Sequence, residues 1–554
     1  MKKGTSRGVL LLASMLVALV VVGGGAWAEN WVGDNGPNKK NGTNGPDRAP
    51  RNTDDAAPSA SPKLPKAVTL IPSAKLRKAV TPASILVHQR RFQQIANDTE
   101  EGTRASGTPG YGASARYVAR KLRNAGYEVS VQRFEFPFFQ ELEPARLQQV
   151  SPQDKDYETA TFEYSGSGDV TGRLVPTKDV LIPPPAQPGS TSGCEPEDFV
   201  AASETEPEVA LIQRGTCEFA VKAKNAQQAG YDAAIIFNEG QEGRTEVVEG
   251  TLGSPNFSIP VVGASFATGK ELYAATQEGK VVVRVSASTL SETRTTSNII
   301  ADTPQSRANR TVVVGAHLDS VIEGPGINDN GSGSATILEV ALQMSKLGIE
   351  PTNRVRFAFW GAEESGLLGS EHYVESLSAG QLGNIALNLN FDMLGSPNYV
   401  RFVYDGDGSA TPDDPDDAGP AGSAEIERVF KRYFAAKGLP TAPTPFDGRS
   451  DYGPFIAVGI PAGGLFTGAE GIKSARQEDL YGGTSGEPYD PCYHEACDDI
   501  TNLSLGALGQ MSDGVAHATL TYAEDEEVFV SPSSAETRSS AGVYKEFKGP
   551  HARR

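Results

Sequence analysis

The sequence predicts an α/β protein in which a mostly parallel sheet is sandwiched by helices and carries an inserted β-rich domain. From residue 311 to about 525, strand-like apolar runs alternate with amphipathic helical patterns, which is typical of such a sheet. Three of the strand-like runs each end at a histidine or an acidic residue. In a parallel sheet the carboxyl ends of the strands share one edge, where such folds bind ligands. The polar residues at these ends are therefore expected to converge.

The helices and strands of the main domain follow from their patterns. Helical periodicity begins near residue 84, and Gly126 closes the helix that precedes it, as glycine often does at helix C-termini. The segment EVSVQRFEF then alternates as a strand. Further along, ATILEVALQMSKLG and AEIERVFKRYFAAKG place apolar residues at helical spacing. These segments supply helices that would cover the sheet.

The sequence pattern changes between about residue 151 and residue 290, where short strand-like segments predominate. This region holds the strand-like segments VALIQRG, AAIIFNE, IPVVGAS and VVVRVSA, with one helix that ends near Gly230. The segment SNIIADTP then resumes the main pattern, and the strands that end in polar residues begin only after it. An insertion explains this order better than a tandem domain. The predicted main domain therefore comprises residues 84–150 and 291–525, and the insert comprises residues 151–290.

The N-terminus has the three parts of a secretory signal. A basic start is followed by an apolar run at residues 10–22, and Ala26-Trp27-Ala28 matches an A-x-A cleavage site. A membrane anchor would need about 20 apolar residues, which this run lacks. We predict a signal peptide at residues 1–28, a secreted extracellular product and no stable membrane association.

Two further segments lack the apolar periodicity of a packed domain. Residues 29–83 are rich in Asn, Gly, Pro, Lys and Ala, which predicts a disordered linker or propeptide. Residues 526–554 are predicted to form a polar tail.

Charge and cysteine content narrow the class of protein. The formal net charge of −19 argues against nucleic acid as a partner, because nucleic acid requires basic patches. The chain has four cysteines, which allow three connectivities. The local pairs Cys194–Cys217 and Cys492–Cys497 are the economical choice and suit an oxidising compartment. We expect a monomer.

Six residues at the predicted sheet edge point to a two-metal hydrolase. They are His317, Asp329, Glu363, Glu364, Asp392 and His494. Five of them can supply two histidines, two terminal carboxylates and one bridging carboxylate, which is enough to hold two ions that activate a water and polarise the scissile carbonyl. The sixth residue, a glutamate, can then act as the base. Adjacent Glu363 and Glu364 can take different roles because neighbouring side chains of extended backbone point to opposite sides.

Seven motifs together resemble the secreted di-zinc aminopeptidases, namely the bacterial extracellular leucyl-type enzymes and aminopeptidase Y. The motifs are HLDS, GPGINDNGSGSA, WGAEESGLLGS, NFDMLGS, GRSDYGPF, PAGGLFTGA and CYHEACDDI. The resemblance covers residues 84–140 and 293–520. The insert is similar to a protease-associated domain, most clearly in VALIQRGTCEFAVKAKNAQQAGYDAAIIFNE.

The resemblance implies a role for each site residue. His317 and Asp392 would bind one zinc ion, Glu364 and His494 the other, and Asp329 would bridge the two. Glu363 would be the general base and acid, and Tyr493 would donate a hydrogen bond to the developing oxyanion. Arg449 would lie near the substrate terminus, and Phe466 would line the pocket for the first side chain. The resemblance also implies a cis Asp329–Asn330 peptide bond. Calcium is possible, but its ligands stay unassigned.

The expected activity is removal of N-terminal residues from peptide substrates, with a preference for large apolar residues such as leucine. Three alternatives share the fold. A glutamate-releasing carboxypeptidase would need more basic residues than Arg449 to hold its substrate's carboxylates. A glutaminyl cyclase would bind one zinc ion instead of two. A catalytically dead, receptor-like binder would have lost ligands, whereas all of them are present here.

Overall fold

Twelve α-helices and fourteen strands lie in the part of the chain that the computed structural model describes, residues 73–304, 306–410 and 418–526. The helices are α1 (Ala74–Ala79), α2 (Pro82–Asn97), α3 (Pro109–Asn124), α4 (Phe219–Gln228), α5 (Phe266–Glu278), α6 (Gly331–Lys346), α7 (Leu368–Glu375), α8 (Ala379–Gly383), α9 (Ser423–Ala436), α10 (Gly453–Ala457), α11 (Ala475–Tyr481) and α12 (Leu505–Glu524). The strands are β1 (Glu128–Ser151), β2 (Lys155–Tyr157), β3 (Ala160–Thr161), β4 (Gly168–Pro176), β5 (Glu208–Gln213), β6 (Ala233–Phe237), β7 (Val261–Ala264), β8 (Val282–Asp302), β9 (Arg307–His317), β10 (Asn353–Trp360), β11 (Ile385–Phe391), β12 (Phe402–Tyr404), β13 (Ala442–Thr444) and β14 (Ala462–Phe466).

Four parallel strands form the centre of the main sheet. Their order is β14, β11, β9 and β10, with each neighbouring pair parallel. Antiparallel strands flank them, β8 beside β10 and β12 beside β14. Trp360, the last residue of β10, lies opposite His317, the last residue of β9. The carboxyl ends of the central strands therefore meet at one edge.

Both faces of the central strands are buried, and this explains why β9 reads as a continuous apolar run. Val312 and Val314 pack into the large core that α2, α3, α6, α9 and α12 cover. Val313 points to the opposite face, where it packs with Trp360 and with Phe455 of α10. Successive strand residues face opposite sides of a sheet, so both layers need apolar residues. The predicted fold class, a helix-sandwiched α/β sheet with an insert, is confirmed.

The insert is joined to the main sheet by one long antiparallel ribbon. Strands β1 and β8 pair from Glu128 opposite Asp302 to Ser151 opposite Val282. At one end β8 also pairs with β10 of the main sheet, and at the other it pairs with β4 of the insert. The sequence predicted two separate segments, VVVRVSA and SNIIADTP, where the structure has the single strand β8. The polar stretch between them hides the strand, because cross-strand pairing and not apolar periodicity holds it.

Inside the insert, β4, β5, β6 and β7 form a layer with a helix on each face. Leu272 of α5 packs with Leu211 on one face, and Ala223 of α4 packs with Ile212 on the other. The disulfide Cys194–Cys217 ties the segment before β5 to the start of α4, and Cys492–Cys497 closes a small loop in the main domain. Both predicted disulfides are confirmed.

The predicted linker ends earlier than the sequence suggested. Helix α1 lies within it, and both Leu76 and Val80 are buried in the main core. They are four residues apart, so they share one side of the helix, but two apolar residues are too few to reveal a period. The signal peptide, the linker up to residue 72 and the tail from residue 527 lie outside the described residues. Within the described ranges, no helix combines the length and apolarity needed to cross a membrane.

Candidate functional site

The polar residues predicted at the strand ends come together at one edge of the main sheet. His317 is the last residue of β9, and Asp392 directly follows β11. Glu363 and Glu364 lie just beyond the end of β10. Asp329 precedes Asn330, the N-cap of α6, and His494 lies in the loop between α11 and α12. The parallel strand order therefore gathers residues that are 177 positions apart in sequence, from 317 to 494.

Asp329 lies between the two histidines. Its Oδ1 is 3.2 Å from His317 Nε2, and its Oδ2 is 3.3 Å from His494 Nε2. His317 Nε2 is also 3.3 Å from Asp392 Oδ1, and His494 Nε2 is 3.0 Å from Glu364 Oε2. Each histidine therefore faces one oxygen of Asp329 and one oxygen of a second carboxylate, so two donor groups share one aspartate.

These separations fit zinc. Zinc binds histidine nitrogen and carboxylate oxygen at about 2.0–2.2 Å in tetrahedral geometry, so two donor atoms of one site lie about 3.3 Å apart. Imidazole and carboxylate are also among the ligands that zinc prefers. Glu363 Oε2 lies farther away, 3.9 Å from His317 Nε2. Donor atoms of His317, Glu363 and Asp392 lie within 4.8 Å of one another, so proximity alone does not exclude Glu363 as a ligand, but its longer separation favours another role.

The cluster is electrostatically suited to cations. Burial alone would lower the pKa of His494, but the charges of Glu364 and Asp329 outweigh it and raise that pKa to about 11. Burial alone would also lower the pKa of His317, but the charges of Glu363 and Asp392 outweigh it and raise that pKa well above the usual range. Burial raises the pKa of Glu363 well above its usual range, and the charge of Glu364 adds to this effect. Buried carboxylates so close together favour any positive charge placed among them.

All nine residues predicted to be catalytic, metal-binding or substrate-binding line one cavity. They are His317, Asp329, Glu363, Glu364, Asp392, Arg449, Phe466, Tyr493 and His494. Phe466 is the last residue of β14, and apolar groups of Met393, Tyr404 and Pro445 line the same cavity. The cavity thus joins a cluster of side chains that could bind metal ions to an apolar surface.

The Tyr493 hydroxyl is held as a hydrogen-bond donor. Arg449 Nη2 donates to the Tyr493 oxygen at 3.2 Å, and Arg449 Nη1 is anchored on Glu470 at 2.6 Å. A guanidinium can only donate, so the phenol accepts and its own hydrogen can reach another acceptor. Burial and the charge of Asp329 raise the pKa of Tyr493, which keeps that hydrogen in place. Tyr493 can therefore donate a hydrogen bond, as its predicted role requires, and Arg449, which was predicted to lie near the substrate terminus, contacts the Tyr493 oxygen.

Several residues that support the site carried no role in the sequence analysis. Ser450 donates to Asp392 Oδ2 at 2.7 Å and accepts from Asn390. The Asn330 side chain accepts from the backbone of Gly333 and Met393 and donates to Phe391, which fixes the start of α6 against the end of β11. Ser450 and Asn330 stand inside the quoted motifs GRSDYGPF and GPGINDNGSGSA, so motif membership was the signal that could have identified them.

A second group of supporting residues holds the loops that carry Asp329 and His494. The Asp498 carboxylate accepts from the backbone nitrogens of Asn328 and Asp329. Arg104 is fully buried and donates to the carbonyls of Leu318, Pro325 and Gly326. Sequence reasoning missed Arg104 because it is distant from every motif.

The backbone around the ligands adopts unusual conformations. Ala362, Met393 and His494 have positive φ angles of 55°, 48° and 58°. The first two directly adjoin Glu363 and Asp392, and the third is itself a proposed ligand. Such conformations persist where the surroundings enforce them, and they concentrate at functional sites. The Asp329–Asn330 peptide bond is cis, as the resemblance implied.

A buried sheet edge with this donor set is a candidate metal centre, and comparisons with known proteins identify the family and the class of enzyme. The family model "Peptidase family M28" matches residues 298–519, and the model "PA domain" matches residues 170–272. A protein named "Aminopeptidase" from Pseudomonas aeruginosa strain PAO1 is 43% identical over 475 residues, which are 84% of this chain and 86% of that protein. "Leucine aminopeptidase 2" from Arthroderma otae is 38% identical over 82% of this chain and 86% of its own length.

One solved structure that this chain resembles is described as a zinc aminopeptidase. "The structure of BSAP, a zinc aminopeptidase from Bacillus subtilis" is 26% identical, with a TM-score of 0.54, over 81% of this chain and 96% of that one. The chain belongs to peptidase family M28 and contains a PA domain. It is a metallo-aminopeptidase, which confirms the class of enzyme that the sequence predicted.

Proposed function

We propose that the enzyme uses two zinc ions to release large apolar residues, such as leucine, from the N-termini of peptides. The observation that carries this proposal is the position of Asp329, with one oxygen near each histidine and a further carboxylate on each side. One cation at each donor group would be bridged by Asp329. His317 and Asp392 would hold the first ion, and Glu364 and His494 the second.

The protein's own residues then divide the chemistry. When bound, the zinc ions supply the Lewis acidity that acidifies water and polarises the scissile carbonyl. Glu363 takes a proton from the attacking water and delivers it to the nitrogen of the leaving amine. Tyr493 donates its free hydrogen to the carbonyl oxygen as negative charge develops there, and Arg449 holds the phenol in place. Burial of Glu363 supports the role of base, because a raised pKa lets a carboxylate accept a proton near neutral pH.

The proposed preference for apolar N-terminal residues is supported by the apolar groups that line the cavity near Phe466. An apolar pocket rewards each buried methylene by roughly 1–3 kcal/mol, so a leucine side chain gains more than alanine. The name of the relative from Arthroderma otae is consistent with this preference. An acidic first side chain would meet the site's own carboxylates and should be a poor substrate.

The experiment combines metal analysis with a substrate panel. We expect two zinc ions per chain by mass spectrometry, loss of Leu-p-nitroanilide hydrolysis with 1,10-phenanthroline, and recovery on adding zinc. Leu and Met nitroanilides should be hydrolysed faster than Ala, and Asp and Glu slowly. One ion per chain would contradict the two-zinc proposal and favour the cyclase alternative. Faster hydrolysis of Glu than of Leu would contradict the apolar pocket.

Secretion, the domain limits and the oligomeric state remain part of the proposal. Both disulfides fit an oxidising, extracellular compartment, and the N-terminal pattern fits a cleaved signal. We propose that residues 84–150 and 291–525 form the peptidase domain and that residues 151–290 form the insert. The β1–β8 ribbon crosses both limits, so the two domains share backbone pairing. We further propose that the enzyme acts as a monomer.

A further inference from the structure

Two grooves adjoin the catalytic cavity, and residues of the insert line part of each groove. The first, of about 450 Å³, shares Glu364 with the catalytic cavity. The second, of about 610 Å³, shares Arg449, Tyr493 and His494 with it. A peptide whose N-terminal residue occupies the catalytic cavity can extend into either of these grooves. The groove walls therefore face the part of the substrate that follows the scissile bond.

One side of the grooves carries an acidic wall, which we define as Glu141 and Glu143 of the β1–β8 ribbon together with Glu163 and Glu249 of the insert. Glu141 and Glu163 line both grooves, Glu143 lines the first and Glu249 the second. Glu141 and Glu143 stand where the pairing of β1 with β8 shifts register. Glu163 and Glu249 are held together because the Glu163 nitrogen donates to Gly250 at 2.9 Å. The wall is thus built by the ribbon and by two segments of the insert.

The charge of the first groove is strongly one-sided. Besides Glu364, which is a proposed zinc ligand, five acidic residues line it, and among its described lining residues there is neither lysine nor arginine; the five are Glu141, Glu143, Glu163, Asp319 and Glu323. Asp319 is 1% exposed, and its Oδ2 has no hydrogen-bond partner among the described residues. In the second groove the one arginine, Arg449, is already paired with Glu470. A ligand with positive charge would complement both grooves.

We propose that the acidic wall selects peptides that carry lysine or arginine within the first few residues after the scissile bond. This inference rests on the proposed aminopeptidase function, because the N-terminus must be held in the catalytic cavity. Charged walls of a cleft concentrate ligands of opposite sign and repel those of like sign. The wall glutamates Glu141 and Glu143 are exposed, so each contact should contribute modestly, roughly a factor of 1.4–5 in kcat/KM.

The test compares two peptides that differ only after the first bond, Leu-Lys-Lys-Ala-Tyr and Leu-Glu-Glu-Ala-Tyr. Each kcat/KM is divided by that of the same enzyme for Leu-p-nitroanilide, which has no residue after the scissile bond. We expect the basic peptide to be favoured roughly tenfold at low ionic strength, through two attractive contacts and two repulsive ones. The preference should shrink in 0.5 M NaCl, because salt screens exposed charges.

The triple variant Glu141→Gln, Glu143→Gln and Glu163→Gln should lower the preference at least threefold. The matched control Glu204→Gln, Glu242→Gln and Glu278→Gln removes the same charge from exposed positions of the insert outside the grooves and should keep the preference. If the triple variant fails to fold, the single change Glu143→Lys should still lower the ratio.

Three results would overturn the inference: a wild-type ratio within twofold of one, an unchanged ratio in the wall variants, or an equal loss in the control. Failure of the proposed function is distinguishable, because then Leu-p-nitroanilide itself is not hydrolysed.

Discussion

Glutamates line both sides of the substrate cleft, but the two sides hold them in opposite environments. On the peptidase side, Glu363 and Glu364 are 3% and 9% exposed. On the opposite side, Glu141 and Glu143 of the β1–β8 ribbon are exposed to solvent. Buried charges interact strongly because water and salt screen them little, whereas exposed pairs are worth about 0–1 kcal/mol. The same residue type should therefore control catalysis on one side and only tune substrate choice on the other.

The largest expected effect comes from the buried pair. Glu363→Gln should lower kcat by about 10²–10⁴, the usual contribution of a general acid-base group, while zinc stays bound. Glu364→Gln exchanges an anionic ligand for a neutral amide and should lower zinc content as well as activity. Gln is nearly isosteric with Glu, so both variants should fold. Zinc stoichiometry by mass spectrometry, measured beside kcat, separates the two roles.

The two variants serve as controls for each other. Loss of zinc from the Glu363 variant with retention in the Glu364 variant would show that the two roles are reversed. Normal turnover in both variants would contradict the catalytic role of the pair and would remove the contrast between the buried and the exposed side of the cleft.

An intermediate effect is expected where a buried neutral group supports a buried charge. Ser450 donates to Asp392 at 2.7 Å and so fixes the orientation of a proposed ligand. Loss of such an outer contact typically costs 10–100-fold in metal affinity or activity. Ser450→Ala should therefore weaken zinc binding about 10–100-fold in a chelator competition.

Ser512→Ala is the matched control for that change. Ser512 is also fully buried in the main domain, but it bonds to the Gly509 carbonyl of its own helix. It should leave zinc affinity unchanged. Equal zinc affinity in the Ser450 variant and the wild type would show that Asp392 does not depend on this hydrogen bond.

The buried edge of the sheet was predictable from sequence, and the ribbon that carries the exposed wall was not. β9 has apolar residues on both faces, so Val312 to Val314 read as a strand that ends at His317. In contrast, β8 passes through a polar stretch at its middle, and β1 is the only strand of the described residues that pairs with that stretch. The same limit applies to the helix around Leu76, whose burial depends on a distant core.

The site residues also fall into two groups, those that the sequence predicted and those that it did not. Three of the runs that predicted the site end at His317, Glu363-Glu364 and Asp392, whereas Asp329 and His494 lie in loops; the structure brings all of these proposed ligands and the proposed base into one cavity. Ser450 and Arg104 act through hydrogen bonds to groups that are distant in sequence. Nothing in their own sequence neighbourhood encodes those partners, because a hydroxyl or a guanidinium at a loop position has many possible partners.

The smallest expected effect concerns a histidine in the opposite environment to the two proposed ligands. His517 of α12 is 3% exposed, stacks on Tyr433 with ring centroids 4.7 Å apart, and hydrogen-bonds to Ser73 through Nδ1. Burial, together with the charge of Arg77, lowers its pKa from 6.5 to about 4. The carboxylate cluster, by contrast, raises the pKa of His494 to about 11.

A histidine whose pKa is lowered by folding binds its proton more readily in the unfolded state. The free energy of unfolding should therefore fall as pH drops through 6.5 towards 4, by up to about 3 kcal/mol from this residue. His517→Gln removes the titrating group, so its melting temperature should decline less than that of the wild type between pH 7.5 and 4.5. Loss of zinc at acid pH affects both proteins alike and cancels in this difference. Parallel declines in melting temperature would show that His517 does not contribute to acid sensitivity. The opposite pKa shifts of His517 and His494 would then have no counterpart in the stability of this enzyme.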